Sequence, residues 1–162
     1  MKFKLINKDE LSEEMIKMLY NIEENSGGDP YSEDNFKQIL LHNTNLTFVC
    51  ADNNDYIGVL TLNIASKKFG GSIYIINISI KKEFHRQGLA TKLIFEALNY
   101  INNNSDLNKK PISLEVDKSN LPAYNLYLKL GFRLADDYKD EDQYGMISSL
   151  EKILFNTTNK NN

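Results

Sequence analysis

This chain of 162 residues has one cysteine, Cys50, so no disulfide can close within it, and no His/Cys spacing in it suggests a metal site. No apolar run approaches the roughly 18 residues of a membrane span, and the start, Met1 to Asp9, lacks a secretory-signal stretch. A soluble, cytoplasmic protein, monomer or homodimer, is expected. The net charge of −3 provides no basic field for a phosphate backbone, so neither nucleic acid nor a membrane is an expected partner. Cationic partners suit that charge better. There is no internal repeat. Two common phosphate motifs are also missing: no G-x-x-x-x-G-K-[ST] run occurs, and of the three glycines of a dinucleotide fingerprint only Gly88 stands at the relevant turn.

What is present is enough chain for one domain with a full core. Leu11, Met15, Met18, Leu19 and Ile22 recur at helical spacing after a strand from Lys2 to Ile6. Turn formers from Asn25 to Tyr31 break that helix, and Ser32 ahead of Glu33, Asp34 and Phe36 caps a second. Strands Leu46 to Ala51 and Tyr56 to Ile64 flank a hairpin turn, Asp52-Asn53-Asn54-Asp55. A strand from Ile73 to Ile80 places Ile76, Ile78 and Ile80 on one face and Asn77 and Ser79 on the other. The stripe Leu93, Ile94, Ala97, Leu98 and Ile101 predicts a helix between this strand and the next, Ile112 to Val116. That order implies a parallel pair joined by a right-handed crossover. Asn120 to Leu130 predicts a fourth helix stopped by Gly131, after which Phe132 to Leu134 and Tyr144 to Leu150 form a closing hairpin. The tail from Asn156 is expected to be disordered.

The segment Asn77 to Thr91 is the most informative. An apolar strand runs through a short turn into a helix with small first residues. The N–H groups that open a helix lack intrahelical acceptors, the dipole adds positive charge, and Gly88 with Ala90 lets a pyrophosphate approach the main chain. His85-Arg86-Gln87-Gly88-Leu89-Ala90 resembles the [Q/R]-x-x-G-x-[G/A] signature of the GCN5-related N-acetyltransferases, with His85 where that family usually has Gln or Arg. A second block, Leu114-Glu115-Val116 through Asn120, Ala123, Leu126, Tyr127, Gly131 and Phe132, resembles the same family's L-E-V-x-x-x-N-x-x-A-x-x-L-Y-x-x-x-G-F. Both blocks are closest to the ribosomal-protein Nα-acetyltransferase group. The resemblance implies an α/β (α+β) fold of the GNAT type, with a mixed sheet of about six or seven strands, about four helices, and a splayed parallel strand pair holding acetyl-coenzyme A. One N-acetyltransferase domain over residues 1–155 is expected, with 156–162 as the tail.

The same resemblance implies roles. Main-chain groups of Ile78, Ser79 and Ile80 pair with the pantetheine arm, with an oxyanion donor near Ile80. His85, Arg86, Gln87, Gly88, Leu89, Ala90 and Thr91 are the candidates for holding the pyrophosphate. Asn120 has two readings, as a helix cap and as a contact to the pantetheine. An amine must lose a proton before it attacks, and Glu115, directed away from Leu114 and Val116, is the best-placed base; the bland alternative is an exposed strand carboxylate. Tyr127 is the candidate proton donor to the departing thiolate, against a reading as a core aromatic beside Leu126 and Leu130. Cys50 lies in an apolar strand without a neighbouring His and reads as a buried small hydrophobe, and His42 and His85 have no spacing for a triad.

The expected activity is transfer of acetyl from acetyl-coenzyme A to a primary amine, by direct attack in a ternary complex. The acceptor is either a protein or peptide N-terminus or a small amine of polyamine or aminoglycoside type. A coenzyme A-binding module without catalysis is a third reading, which needs neither Glu115 nor Tyr127. Acid clusters Glu23, Glu24, Asp29, Glu33 and Asp34, and Asp136, Asp137, Asp140, Glu141 and Asp142, would favour cationic acceptors if they face the pocket, and are solvated turns if they do not.

Overall fold

The apolar periodicities resolve into seven strands and five α-helices in a computed structural model that describes residues 1–53 and 55–159. Asn54, part of the expected hairpin turn, and the last three positions of the expected tail lie outside the described residues. The strand order is β1-β2-β3-β4-β5-β7-β6. Contacts divide the chain into two compact units, one formed by Met1–Asn63 with Ile76–Ala97 and the other by Ile64–Ile75 with the chain from Leu98 onward.

In the first unit, β1 (Lys2–Ile6) pairs antiparallel with β2 (Asn45–Asp52), which pairs antiparallel with β3 (Asp55–Ser66). The register shifts between Cys50 and Ala51, as a bulge produces. α1 (Glu13–Glu24) is capped by Ser12, which accepts from Met15 N at 3.2 Å, and α2 (Glu33–Leu41) by Ser32, which accepts from Asn35 N at 3.3 Å. Such caps contribute about 1 kcal/mol each. The helices bury Ile16, Leu19, Ile22, Phe36 and Leu40 against Ile6, Val49 and Val59. The second half of β4 (Ser72–Ile80) and the start of α3 (Leu89–Asn102) complete this unit.

In the second unit, the first half of β4 runs parallel to β5 (Ile112–Asp117), in the register Ile73↔Ile112 to Ile75↔Leu114. This is the parallel pair that the strand-helix-strand order predicted. β7 (Gln143–Ser148) pairs antiparallel with β5 and with the short β6 (Arg133–Leu134), giving the expected closing hairpin. α4 (Leu121–Leu130) ends at Gly131, whose φ of 97° is the left-handed cap conformation.

The sequence reading missed α5 (Leu150–Thr158), which takes in Asn156, Thr157 and Thr158 from the supposed tail. Ser149 caps this helix through Lys152 N at 3.2 Å, and Leu150, Ile153 and Thr157, three and four apart, form its buried stripe. Thr157 Oγ1 donates to Ile153 O at 3.0 Å, so a polar residue continues the apolar face.

Candidate active site

The turn between β4 and α3 is built from main chain. Lys81 N donates to Ile57 O at 2.9 Å, a single 3₁₀ turn spans Lys82–Phe84, and His85 N returns to Lys82 O at 3.2 Å. The His85 ring, through Nε2, meets Ile80 O at 2.8 Å, so this side chain braces the turn. Arg86 then adopts φ 61° and Gly88 φ 73°, both left-handed, while Gly88 O accepts from Lys92 N at 3.0 Å and opens α3. Left-handed residues leading into a helix direct successive amides to one side, the concave arrangement that binds anions. A Cβ at Gly88 would meet nothing within 4 Å, so open space lies beside it. His85 to Gly88 are exposed. These residues fit a pyrophosphate held by backbone N–H groups.

The polar face of β4 is not turned to solvent. Asn77 and Ser79 are buried, and the carboxylate they bind, Glu23 at the end of α1, is 5% exposed. Ser79 Oγ donates to Glu23 Oε2 at 2.5 Å and Asn77 Nδ2 donates at 3.3 Å. Asn77 Oδ1 is buried and accepts no hydrogen bond. The chain after α1 is fastened to the same strand: Lys82 N donates to Asn25 O at 2.8 Å and Tyr31 OH to Ile76 O at 3.4 Å. Glu23 therefore leaves the acidic cluster assigned to acceptor steering, whereas Glu24, Asp29, Glu33 and Asp34 are exposed. A carboxylate at a helix end reads as solvated from sequence, but two β4 donors have desolvated and paired this one.

In the second unit Glu115 projects from β5, opposite Gly145 of β7, among three side chains distant in sequence. Tyr74 OH donates to Glu115 Oε2 at 2.6 Å and Lys68 Nζ at 2.7 Å. Burial raises the Glu115 pKa, but the bonds from Lys68 and Tyr74 outweigh it, with Tyr138 adding to them, and hold the carboxyl below its ordinary range. Its side chain is 15% exposed. Burial, followed by the charge of Glu115, pushes Tyr138 up to about 12. The Tyr138 ring stacks on Phe69 with centroids 5.6 Å apart, and both lie over Gly145, where an added Cβ would meet Phe69 Cε1 at 2.8 Å. Tyr138 also lines a cleft of about 520 Å³ with Lys118, Ala135, Tyr144 and Gly145, within the size range of small-ligand sites. Lys68, Tyr74 and Tyr138 were not predicted; no short motif links them to Glu115, since Tyr74 comes from β4 beside β5, Lys68 from the 3₁₀ turn ahead of β4, and Tyr138 from the loop between β6 and β7.

The acidic loop facing that cleft is partly occupied with its own structure. Asp140 Oδ1 accepts from Asp142 N at 2.8 Å and Gln143 N at 2.9 Å, while Lys118 Nζ caps Asp140 O and Glu141 O at 2.7 and 2.8 Å. Asp136 pairs with Arg133 at 3.4 Å.

Asn120 caps α4, its Oδ1 accepting from Ala123 N at 3.2 Å. On that helix Tyr127 is 6% exposed and packs edge-on against Phe132 at 5.7 Å. Burial pushes Tyr127 up to about 12, so it keeps its proton at neutral pH. Cys50 is buried, and burial pushes its thiol up to about 11, which leaves it inert. His42 bonds Thr44. Among the described residues no cluster of His, Cys, Asp and Glu has metal-ligand geometry, and no helix is long and apolar enough to cross a membrane.

Residues 13–132 match the model of the acetyltransferase (GNAT) family. An N-alpha-acetyltransferase of Saccharolobus solfataricus is 38% identical over 82 residues, 48% of either chain, so the alignment spans about half that relative's length. The ribosomal-protein-S18-alanine N-acetyltransferase of Escherichia coli superposes with a TM-score of 0.69 at 21% identity, covering 90% of this chain and 91% of that one. NAA60 of Arabidopsis thaliana, solved with acetyl-CoA, superposes with a TM-score of 0.68 at 20% identity, covering 91% and 97%.

Proposed function

The chain belongs to the acetyltransferase (GNAT) family, and from that premise we propose that it transfers acetyl from acetyl-coenzyme A to the terminal amine of a protein or peptide, as one domain whose expected end at residue 155 moves out to the end of α5 at Thr158. The observation that carries this reading is the setting of Glu115: an ionised carboxylate already holding an ammonium, Lys68 Nζ, at 2.7 Å. A site that orients one ammonium against a carboxylate has the chemistry to receive another.

Bound acetyl-coenzyme A would supply an activated acetyl thioester. The amides of Gln87 to Thr91 hold its pyrophosphate, with Gly88 providing the close approach, and the main chain of Ile78 to Ile80 pairs with the pantetheine and offers an N–H to the carbonyl oxygen. His85 and Asn120 support these segments, His85 by bracing Ile80 O and Asn120 by starting α4. Glu115 takes the proton of the acceptor amine. The stabilised carboxylate is a weak base, so the proton passes on to water rather than resting there. Tyr127, held neutral by burial, donates to the departing sulfur. The name of the Saccharolobus relative supports an N-terminal acceptor.

A second reading, a polyamine or aminoglycoside-like acceptor, is favoured by the exposed carboxylates of Asp137, Glu141 and Asp142 beside the cleft. Titrating acetyl-coenzyme A into the protein tests donor binding, because a ligand at 100 times its dissociation constant adds about 2.7 kcal/mol and raises the melting temperature. Offering peptides, polyamines and aminoglycosides with the donor then separates the readings. Transfer to peptide N-termini alone supports the proposal, transfer to polyamines alone replaces the acceptor, and donor binding without transfer to any amine leaves a coenzyme A-binding module.

A further inference from the structure

Lys68 has a surface lysine's freedom at its stem and a fixed address at its tip. Its Nζ lies 2.7 Å from Glu115 Oε2, 3.3 Å from Tyr74 OH and 4.3 Å from the centroid of the Tyr74 ring. The main chain around it is anchored: Lys68 N donates to Ser66 Oγ at 3.1 Å, and Lys68 O accepts from Ser72 Oγ, which contacts Ser113 Oγ at 2.6 Å. The next residue, Phe69, takes φ 54° and stacks on Tyr138. The Lys68 side chain remains 49% exposed. A primary amine is thus delivered by the protein itself to the carboxylate that the proposed function uses for deprotonating acceptors.

We propose that Lys68 is a self-acetylation site, modified on Nζ within its own molecule when no external amine occupies Glu115. The proposal rests on the function argued above. One proton of the ammonium passes to Glu115 and on to solvent. The Nζ lone pair forms the C–N bond to the acetyl carbon, the C–S bond breaks, and its electron pair leaves on sulfur. The nitrogen gives up a second proton and the thiolate takes one up, so the products are N-acetyl-lysine, free coenzyme A thiol and one released proton. Because the product amide stays tethered, the event happens once per molecule and does not turn over. Acetylation also removes the Lys68 charge, leaving Glu115 to its tyrosine partners.

The test is incubation of the full chain with acetyl-coenzyme A and no acceptor, followed by intact mass and peptide mapping. The expected result is one acetyl group, on Lys68, added with a rate constant that does not change with protein concentration and slowed by saturating peptide acceptor. Glu115→Gln and Tyr127→Phe, each checked for a cooperative melting transition, should lower the Lys68 rate at least tenfold while leaving slow chemical labelling of other lysines unchanged. Lys68 unlabelled in protein that does acetylate a peptide N-terminus overturns the proposal alone. Lys68 labelled no faster in wild type than in both variants also overturns it, as chemical acylation. If no amine is acetylated and the donor gives no thermal shift, the functional reading fails and takes this site with it.

Discussion

Each unit carries a candidate region of its own, and the two are made of different material. In the first, the turn from Ile80 to Thr91 is main chain, shaped by φ angles at Arg86 and Gly88 and braced by one side chain, His85. In the second, Glu115 with Lys68, Tyr74 and Tyr138, and separately Tyr127, present side-chain functional groups. A backbone site tolerates most changes of side-chain chemistry and fails when the path or the space of the chain changes. A side-chain site fails on the loss of a single atom.

The largest effect is expected where space matters most. Gly88→Val places a branched side chain at φ 73° in the open volume beside the amides, costing roughly 1–2 kcal/mol of left-handed strain and obstructing the anion. The thermal shift from acetyl-coenzyme A should vanish while the protein still melts cooperatively; a normal shift would remove the pyrophosphate role from this turn. Tyr127→Phe does the reverse, deleting one hydroxyl and keeping the packing on Phe132. Turnover should fall about 100-fold with the thermal shift intact, and unchanged turnover would return Tyr127 to the core.

Glu115→Gln sharpens the contrast through pH. At low pH little acceptor is unprotonated, so the rate loss should be greatest there, up to about 100-fold, and should shrink as pH rises. A uniform loss would mark Glu115 as a positioning group. The same variant changes acid stability with a definite sign. A carboxyl with a folded pKa held below its unfolded value stabilises the protein above that unfolded value, about 4.3. That stabilisation is lost as pH falls through the lower, folded one. Wild type should therefore lose more stability than the variant between about pH 5 and the acid end of a melting series.

The smallest effect is expected from the acidic loop. Exchanging Asp136, Asp137, Asp140, Glu141 and Asp142 for their amides should raise the Michaelis constant of a polycationic acceptor modestly. The difference should disappear as added salt shortens the Debye length below about 8 Å. Equal constants for both proteins at low salt would make the loop purely structural, a role that Asp140 already has.

Local chemistry explains what sequence made visible. The β4–α3 turn, the Asn120 cap and the Gly131 stop depend on neighbours within a few residues, and β4 and β5 were found from apolar period and connection length. Glu23 escaped because its partners, Asn77 and Ser79, lie 54 and 56 residues away. Lys68 and Tyr74 escaped for the same reason, being 47 and 41 residues from Glu115. α5 escaped because Asn and Thr are weak helix formers, and only Ser149 with the stripe of Leu150, Ile153 and Thr157 tips that segment into a helix.

Gly58 on β3 bears on how this protein can vary among lineages. A Cβ there would stand 2.5 Å from Ile80 Cδ1, 3.3 Å from Cys50 Cβ and 3.6 Å from Leu93 Cδ2. No left-handed angle demands glycine at this position, so the constraint is one of volume alone, and volume can be exchanged between neighbours. Positions 58 and 80 should therefore drift as a couple, with a larger residue at one accepted only beside a smaller residue at the other. Gly88, held by its backbone angle and by the clearance around it, has no such partner and stands alone among descendants.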